Sequence, residues 1–120
     1  MKRYELTAAQ WRKIEGFLPG RRGSAGATAE DNRRFVNGVL WILRSGTYWK
    51  YLPAEYGNWR TVHKRFTRWA KAGIWEKIFQ VLLEDPKNQY FMIDFEIFRA
   101  YKQGVSGKGG VRLWGVPEDD

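Results

Sequence analysis

Apolar residues recur at helical intervals along most of the chain, and breakers separate the runs. Trp11, Ile14 and Leu18 follow one another at steps of three and four, with Phe17 beside them. Thr7 and Gln10 stand at the N-cap and N3 positions of a capping box, Leu6 and Trp11 occupy the hydrophobic-staple positions, and Pro19-Gly20 ends the run. The pattern predicts a helix over 7–18. Residues 19–27, PGRRGSAGA, read as a flexible basic loop. Thr28 opens a second helix, over 29–45, with Glu30 and Asp31 in its first turn, where the helix dipole favours acids. Phe35, Val36, Val39, Leu40, Ile42 and Leu43 give it a wide apolar face, and Gly46 suits its stop. The stretch TYWKYLPAEYG is irregular; Pro53 can open one helical turn there, and Gly57 closes it. Two further helices are predicted over 58–72 and 75–84, divided by Gly73, and Pro86 stops the second.

The texture then changes. Residues 89–100, QYFMIDFEIFRA, are rich in aromatic and β-branched types with imperfect alternation, and read as a strand. From Lys102 the chain is rich in Gly and charge and reads as disordered. The expected fold is mainly α: a small helical bundle with a helix-turn-helix-like unit over 1–86. One or two strands over 87–101 and a disordered tail over 102–120 would follow.

Composition narrows the chemistry. Hydrophobic residues make up 43% and aromatics 17%, with seven Trp, enough for a core in 120 residues. The absence of Cys excludes disulfides and thiolate metal sites and fits an intracellular setting. A single His leaves a zinc site resting mostly on carboxylates. No apolar run approaches the roughly 20 residues that cross a bilayer, and Met1–Glu5 is not followed by a signal-peptide core. A cytoplasmic, nucleoid-associated protein with no membrane partner is expected. The net charge of +8, from 21 Lys and Arg against 13 acids, points to a polyanionic partner, most commonly nucleic acid.

The third helix shows where that charge collects. At about 100° per residue, Trp59, Val62, Phe66, Trp69 and Ala70 gather on one side. Arg60, Lys64, Arg68 and Lys71 fall within an arc of roughly 80° on the other. Thr61 and Thr67 flank the arc, and residues 58–72 contain no acid. One face can pack on a core while the other presents a cationic stripe of a width that a major groove admits. The turn at Leu52–Tyr56 before it resembles the turn of a helix-turn-helix unit. The other reading is a solvated outer face, but such faces usually mix signs to form i,i+4 pairs. Arg60, Thr61, Lys64, Thr67, Arg68 and Lys71 are therefore the candidate DNA contacts, with Arg21 and Arg22 in the basic loop. His63, near the apolar edge, reads as a packing residue.

Several stretches together resemble the N-terminal region of bacterial insertion-sequence DDE transposases of family five. They are YELTAAQWRKIEGFLPG, TAEDNRRFVNGVLWILRSG, WKYLP, YGNWRTVHKRFTRWAKAGIWEKIF and MIDFEIFRA, in order over residues 4–101. The resemblance implies that the helical region precedes a ribonuclease-H-like catalytic domain. The first strand of such a domain would carry Asp94 as the first acid of a carboxylate triad. It also implies Mg2+ bound by Asp94 in a completed catalytic domain, because hard cations need carboxylate oxygens held on rigid strands. The family's other two acids match nothing in this chain, so no cofactor is expected here and activity of the chain alone is not expected. The chain has Phe95 and Glu96 where small hydroxyl residues are usual, Phe98 where a small β-branched residue is common, and Tyr101 where His is common.

The leading expectation is a transposase N-terminal domain that binds the terminal inverted repeats of an insertion sequence, on double-stranded DNA. Its partner would be a second-frame catalytic protein or a second copy of itself. The alternative is a stand-alone regulator that represses its own element's promoter. A complete metal nuclease lacks its acids, and RNA binding lacks an RNP-like signature. Shifted by one base, codons for the segment VRLWGVPEDD can encode Leu-Gly-Arg-Ser-Arg-Gly, which resembles the family's usual continuation; the genetic code forces the Gly after Leu and permits the other five residues. A first-frame product or truncated transposase is thus expected, with residues 111–120 mobile and Trp114 largely exposed or only casually docked.

Overall fold

The capping box at Thr7 forms: Gln10 N donates to Thr7 Oγ1 at 3.1 Å and Thr7 N donates to Gln10 Oε1 at 2.9 Å. It opens α1 (Ala8–Ile14), which runs on into a 3-10 turn, Glu15–Phe17. A computed structural model describes residues 5–19 and 29–106. The loop with Arg21 and Arg22, Thr28, expected to open the second helix, and residues 107–120 with Trp114 lie outside the described residues.

The second, third and fourth helices follow the expected order as α2 (Ala29–Ser45), α3 (Trp59–Lys71) and α4 (Ile74–Leu83). Gly46 ends α2 at φ 70°, with its N–H on Ile42 O at 3.0 Å. Gly73 sits at φ 78° between α3 and α4, a left-handed conformation that a Cβ would strain. Asn58 caps α3, its Oδ1 accepting from Arg60 N at 2.9 Å and Thr61 N at 3.4 Å. Between α2 and α3 lie two single 3-10 turns, Trp49–Tyr51 and Ala54–Tyr56. These two turns fill the connection from α2 to the cationic helix α3.

The strand expected over 89–100 is not present. That segment enters a fifth helix, α5 (Phe91–Ser106), and no described residue forms a strand. The physical reason lies in the burial pattern: Phe91, Asp94, Phe98 and Tyr101 are buried, at steps of three and four, while Met92, Ile93, Glu96, Arg99 and Ala100 are exposed. One helical stripe packs on α2 and α4, and this overrides the local β propensity of the aromatic and branched residues. Residues 102–106, expected to be disordered, continue the same helix.

A single hydrophobic cluster joins all five helices, with Phe66 of α3 at its centre. Its ring lies 5.1 Å from Trp49, 5.7 Å from Trp75, 5.9 Å from Phe98 and 5.2 Å from Tyr101. Trp75 Nε1 donates to Phe66 O at 3.2 Å, satisfying the indole inside the core.

Candidate nucleic-acid interface

The core defines two faces of α3. Val62, Phe66, Trp69 and Ala70 are buried, whereas Arg60, Thr61, Lys64, Arg68 and Lys71 are exposed and Thr67 is half-buried. Among the described residues no carboxylate forms an ion pair with Arg60, Lys64, Arg68 or Lys71. Thr67 Oγ1 donates back to His63 O at 3.1 Å. The structure thus brings six of the candidate contacts onto one helix face; Arg21 and Arg22 are outside the described residues.

Arg65 is on the same helix but does not join this face. It donates from Nη1 to Asp31 Oδ2 at 2.8 Å and from Nη2 to Asn32 Oδ1, and its guanidinium lies 4.3 Å from the Phe35 ring centre. Burial pushes its pKa down, opposed by the hydrogen bond and charge of Asp31, and the nearby Arg68 and Arg34 add to the downward push. Arg65 fixes α3 on α2, so the stripe is carried by an anchored helix. On the wheel its position between Trp69 and Arg68 gave a partial signal of this role.

The opposite edge of α3 is held by the Trp49–Tyr51 turn. The Trp49 ring meets His63 at 5.0 Å, edge on. His63 Nε2 is 2.7 Å from Tyr101 Oη, and burial pushes the imidazole pKa below its ordinary value. His63 packs, as its position near the apolar edge implies.

Asp94 lies on α5 and is 1% exposed. Its Oδ1 accepts from Arg44 Nε at 3.3 Å and its Oδ2 accepts from Arg44 Nη2. The Arg44 guanidinium lies 5.3 Å from the Tyr90 ring centre and 5.5 Å from that of Phe91. Both carboxylate oxygens thus face a cation. Among the described residues, no group of three or more His, Asp or Glu side chains is placed to hold a metal ion. The surroundings of Asp94 in this fold do not fit magnesium: a divalent cation with near-octahedral oxygen coordination would meet one buried carboxylate and the Arg44 guanidinium beside it.

A family model described as "Putative transposase of IS4/5 family (DUF4096)" matches residues 6–79, from the segment before α1 into α4. The chain belongs to this IS4/5 transposase family. Among relatives, the chain is 35% identical over 110 residues to "Uncharacterized protein y4sN" of Sinorhizobium fredii (strain NBRC 101917 / NGR234), covering 88% of each. It is 34% identical over 79 residues to "Insertion element IS402 uncharacterized 16.2 kDa protein" of Burkholderia cepacia, spanning 61% of this chain and 54% of that relative. No solved structure matches. Membership of the IS4/5 transposase family gives the chain a transposition-related role. No helix among the described residues is long and apolar enough to cross a membrane.

Proposed function

We propose that this chain binds the terminal inverted-repeat DNA of an insertion sequence, with α3 entering the major groove as the recognition helix of a helix-turn-helix-like unit. One observation carries the reading. The buried side of α3 is locked into the core by Phe66, Trp69 and Arg65, while its outer side carries Arg60, Lys64, Arg68 and Lys71 with no ion-pair partner among the described residues. Unpaired cations on a rigid helix can bind phosphates and guanine edges without first breaking internal pairs. Asn58 and Thr61 lie at the N-terminal end of the helix, where groove-entering helices place base-contacting residues. On this reading the chain supplies recognition, and Asp94, held by Arg44, takes no part in phosphodiester chemistry in this fold.

Nuclease protection on a fragment carrying both an end of the element and its promoter tests the proposal. Protection of the terminal repeat is the expected result. Protection of the promoter alone would favour a regulator of the element's own expression, and absence of any footprint would overturn DNA recognition altogether.

A further inference from the structure

The Trp49–Tyr51 turn does more than hold α3. Trp49 and Leu52 are buried, and with those two turned inward the side chains of Tyr48, Lys50 and Tyr51 are turned out. Tyr48 is 48% exposed and Tyr51 58%, outside a core that buries most of the chain's other large rings. Among the described residues neither hydroxyl has a hydrogen-bond partner. Lys50 Nζ lies 5.5 Å from the Tyr51 ring centre and has no carboxylate partner among the described residues. Residues 46–54 contain no acid.

The location of this turn follows from its anchor. Trp49 packs on His63 and Phe66. On the α3 wheel His63 lies about 60° from Phe66, and Thr67 and Arg60 lie roughly 100° and 120° from it in the same direction. Arg65 and α2 hold the opposite edge. The turn therefore borders the cationic stripe along its Thr67 and Arg60 side. A helix seated in the major groove, about 12 Å wide, has a sugar-phosphate wall along each edge.

We infer that Tyr48, Lys50 and Tyr51 form a second DNA contact, gripping the phosphates of the groove wall beside α3. The inference rests on α3 being the DNA-binding face. Tyrosine hydroxyls and lysine ammonium groups are ordinary phosphate donors, and phosphate contacts fix register and orientation without reading sequence. The two rings stand 6.4 Å apart at 56° to one another. That tilt leaves no parallel slot for an unpaired base, so hydroxyl contact to phosphate fits better than base stacking.

The test is a salt titration of binding by the full chain to two duplexes, one carrying an end of the element and one of unrelated sequence. Lys50→Ala should lower the log–log salt slope by about 0.9, the value for one phosphate. The pair Tyr48→Phe with Tyr51→Phe should weaken binding roughly two- to tenfold. Both effects should be equal on the two duplexes. These side chains are exposed, so circular dichroism melts should match the parent. If the turn variants bind like the parent at every salt while neutralising Arg60, Lys64 and Arg68 abolishes binding, the α3 reading stands and this inference fails. If the Phe pair binds like the parent but the corresponding Ala pair does not, the rings make the contact and the hydroxyl grip is overturned. A parent chain that binds neither duplex overturns both.

Discussion

Arg65 and Asp31 tie α3 to α2 across 34 positions of sequence, and the same guanidinium reaches Asn32 and covers the Phe35 ring. Asn32 in turn donates from Nδ2 to Pro19 O at 2.6 Å, so the network reaches the end of the first helical segment. A cation on the helix that carries the stripe thus serves internal structure. Arg65→Met keeps the aliphatic stem and removes the donors. It should destabilise the fold by about 1–3 kcal/mol in urea unfolding, because Asn32 and Asp31 lose a half-buried partner. The salt slope of DNA binding should stay at the parental value. A slope reduced as much as by removal of a stripe residue would place Arg65 on the DNA instead.

The stripe itself should behave in the opposite way. Changing Arg60, Lys64 and Arg68 together to Ala should leave thermal stability close to the parent, because all three are exposed and lack ion-pair partners among the described residues. Binding should weaken, and the salt slope should fall by about 0.9 for each phosphate that is no longer neutralised. Trp69→Ala on the other side of the helix should cost roughly 3–5 kcal/mol, since it opens a cavity beside Phe35, 4.9 Å away in an edge-on contact. Calorimetry and a binding titration on both variants separate the two faces. A triple variant with parental binding at every salt would reduce the stripe to a solvated surface.

The division of α3 into two faces was legible in the sequence, because charge positions on a helical wheel depend only on spacing and the caps at Asn58 and Gly73 fix its ends. The α1 capping box and the Gly46 stop were legible for the same local reason. What could not be read locally was tertiary. Residues 91–101 favour a strand by residue type, yet Phe91 and Phe98 meet Phe79 of α4 while Phe98 and Tyr101 meet Phe66 of α3, a core that only a helix can reach with all three. The TYWKY segment holds three aromatic rings, and which one turns inward depends on the pocket that His63 and Phe66 offer to Trp49. Arg65 has the chemistry of a phosphate contact, and only its neighbours on α2 give it another use.

His63 supplies a pH signature. Its imidazole is half-buried against Trp49 and bonded to Tyr101, and burial lowers its pKa from the ordinary 6.5. The folded state therefore takes up its proton at lower pH than the unfolded state. This contribution to stability is fully present above pH 6.5 and is lost as pH falls from there through the lower folded value. Urea midpoints should decline over that interval, with a slope of at most about 1.4 kcal/mol per pH unit from this one group. His63→Gln cannot titrate and should flatten the decline above about pH 5, below which carboxylates take over. An unchanged profile in the Gln variant would assign the effect elsewhere.

Asp94 and Arg44 give the sharpest test of α5. Removing one member of a buried pair leaves an uncompensated charge, whereas removing both leaves only a packing defect. Arg44→Ala should therefore cost about 3–5 kcal/mol, because Asp94 is 1% exposed with both oxygens committed to that guanidinium. Arg44→Ala combined with Asp94→Ala should cost less than the sum of the two single changes, and the difference is the coupling between α2 and α5. Ile97→Pro addresses the secondary structure directly. Position 97 is interior to α5, so proline removes a backbone bond and clashes with the preceding turn, at about 3 kcal/mol or more. The same change on an extended segment with a free edge would be nearly silent. Strict additivity of the Arg44 and Asp94 changes, together with a tolerated Ile97→Pro, would mean that residues 91–101 do not dock as this helix in solution. Asp94 would then be available to a sheet. Coupling together with a damaging Ile97→Pro would show that Asp94 serves to bind α5 to α2 through Arg44.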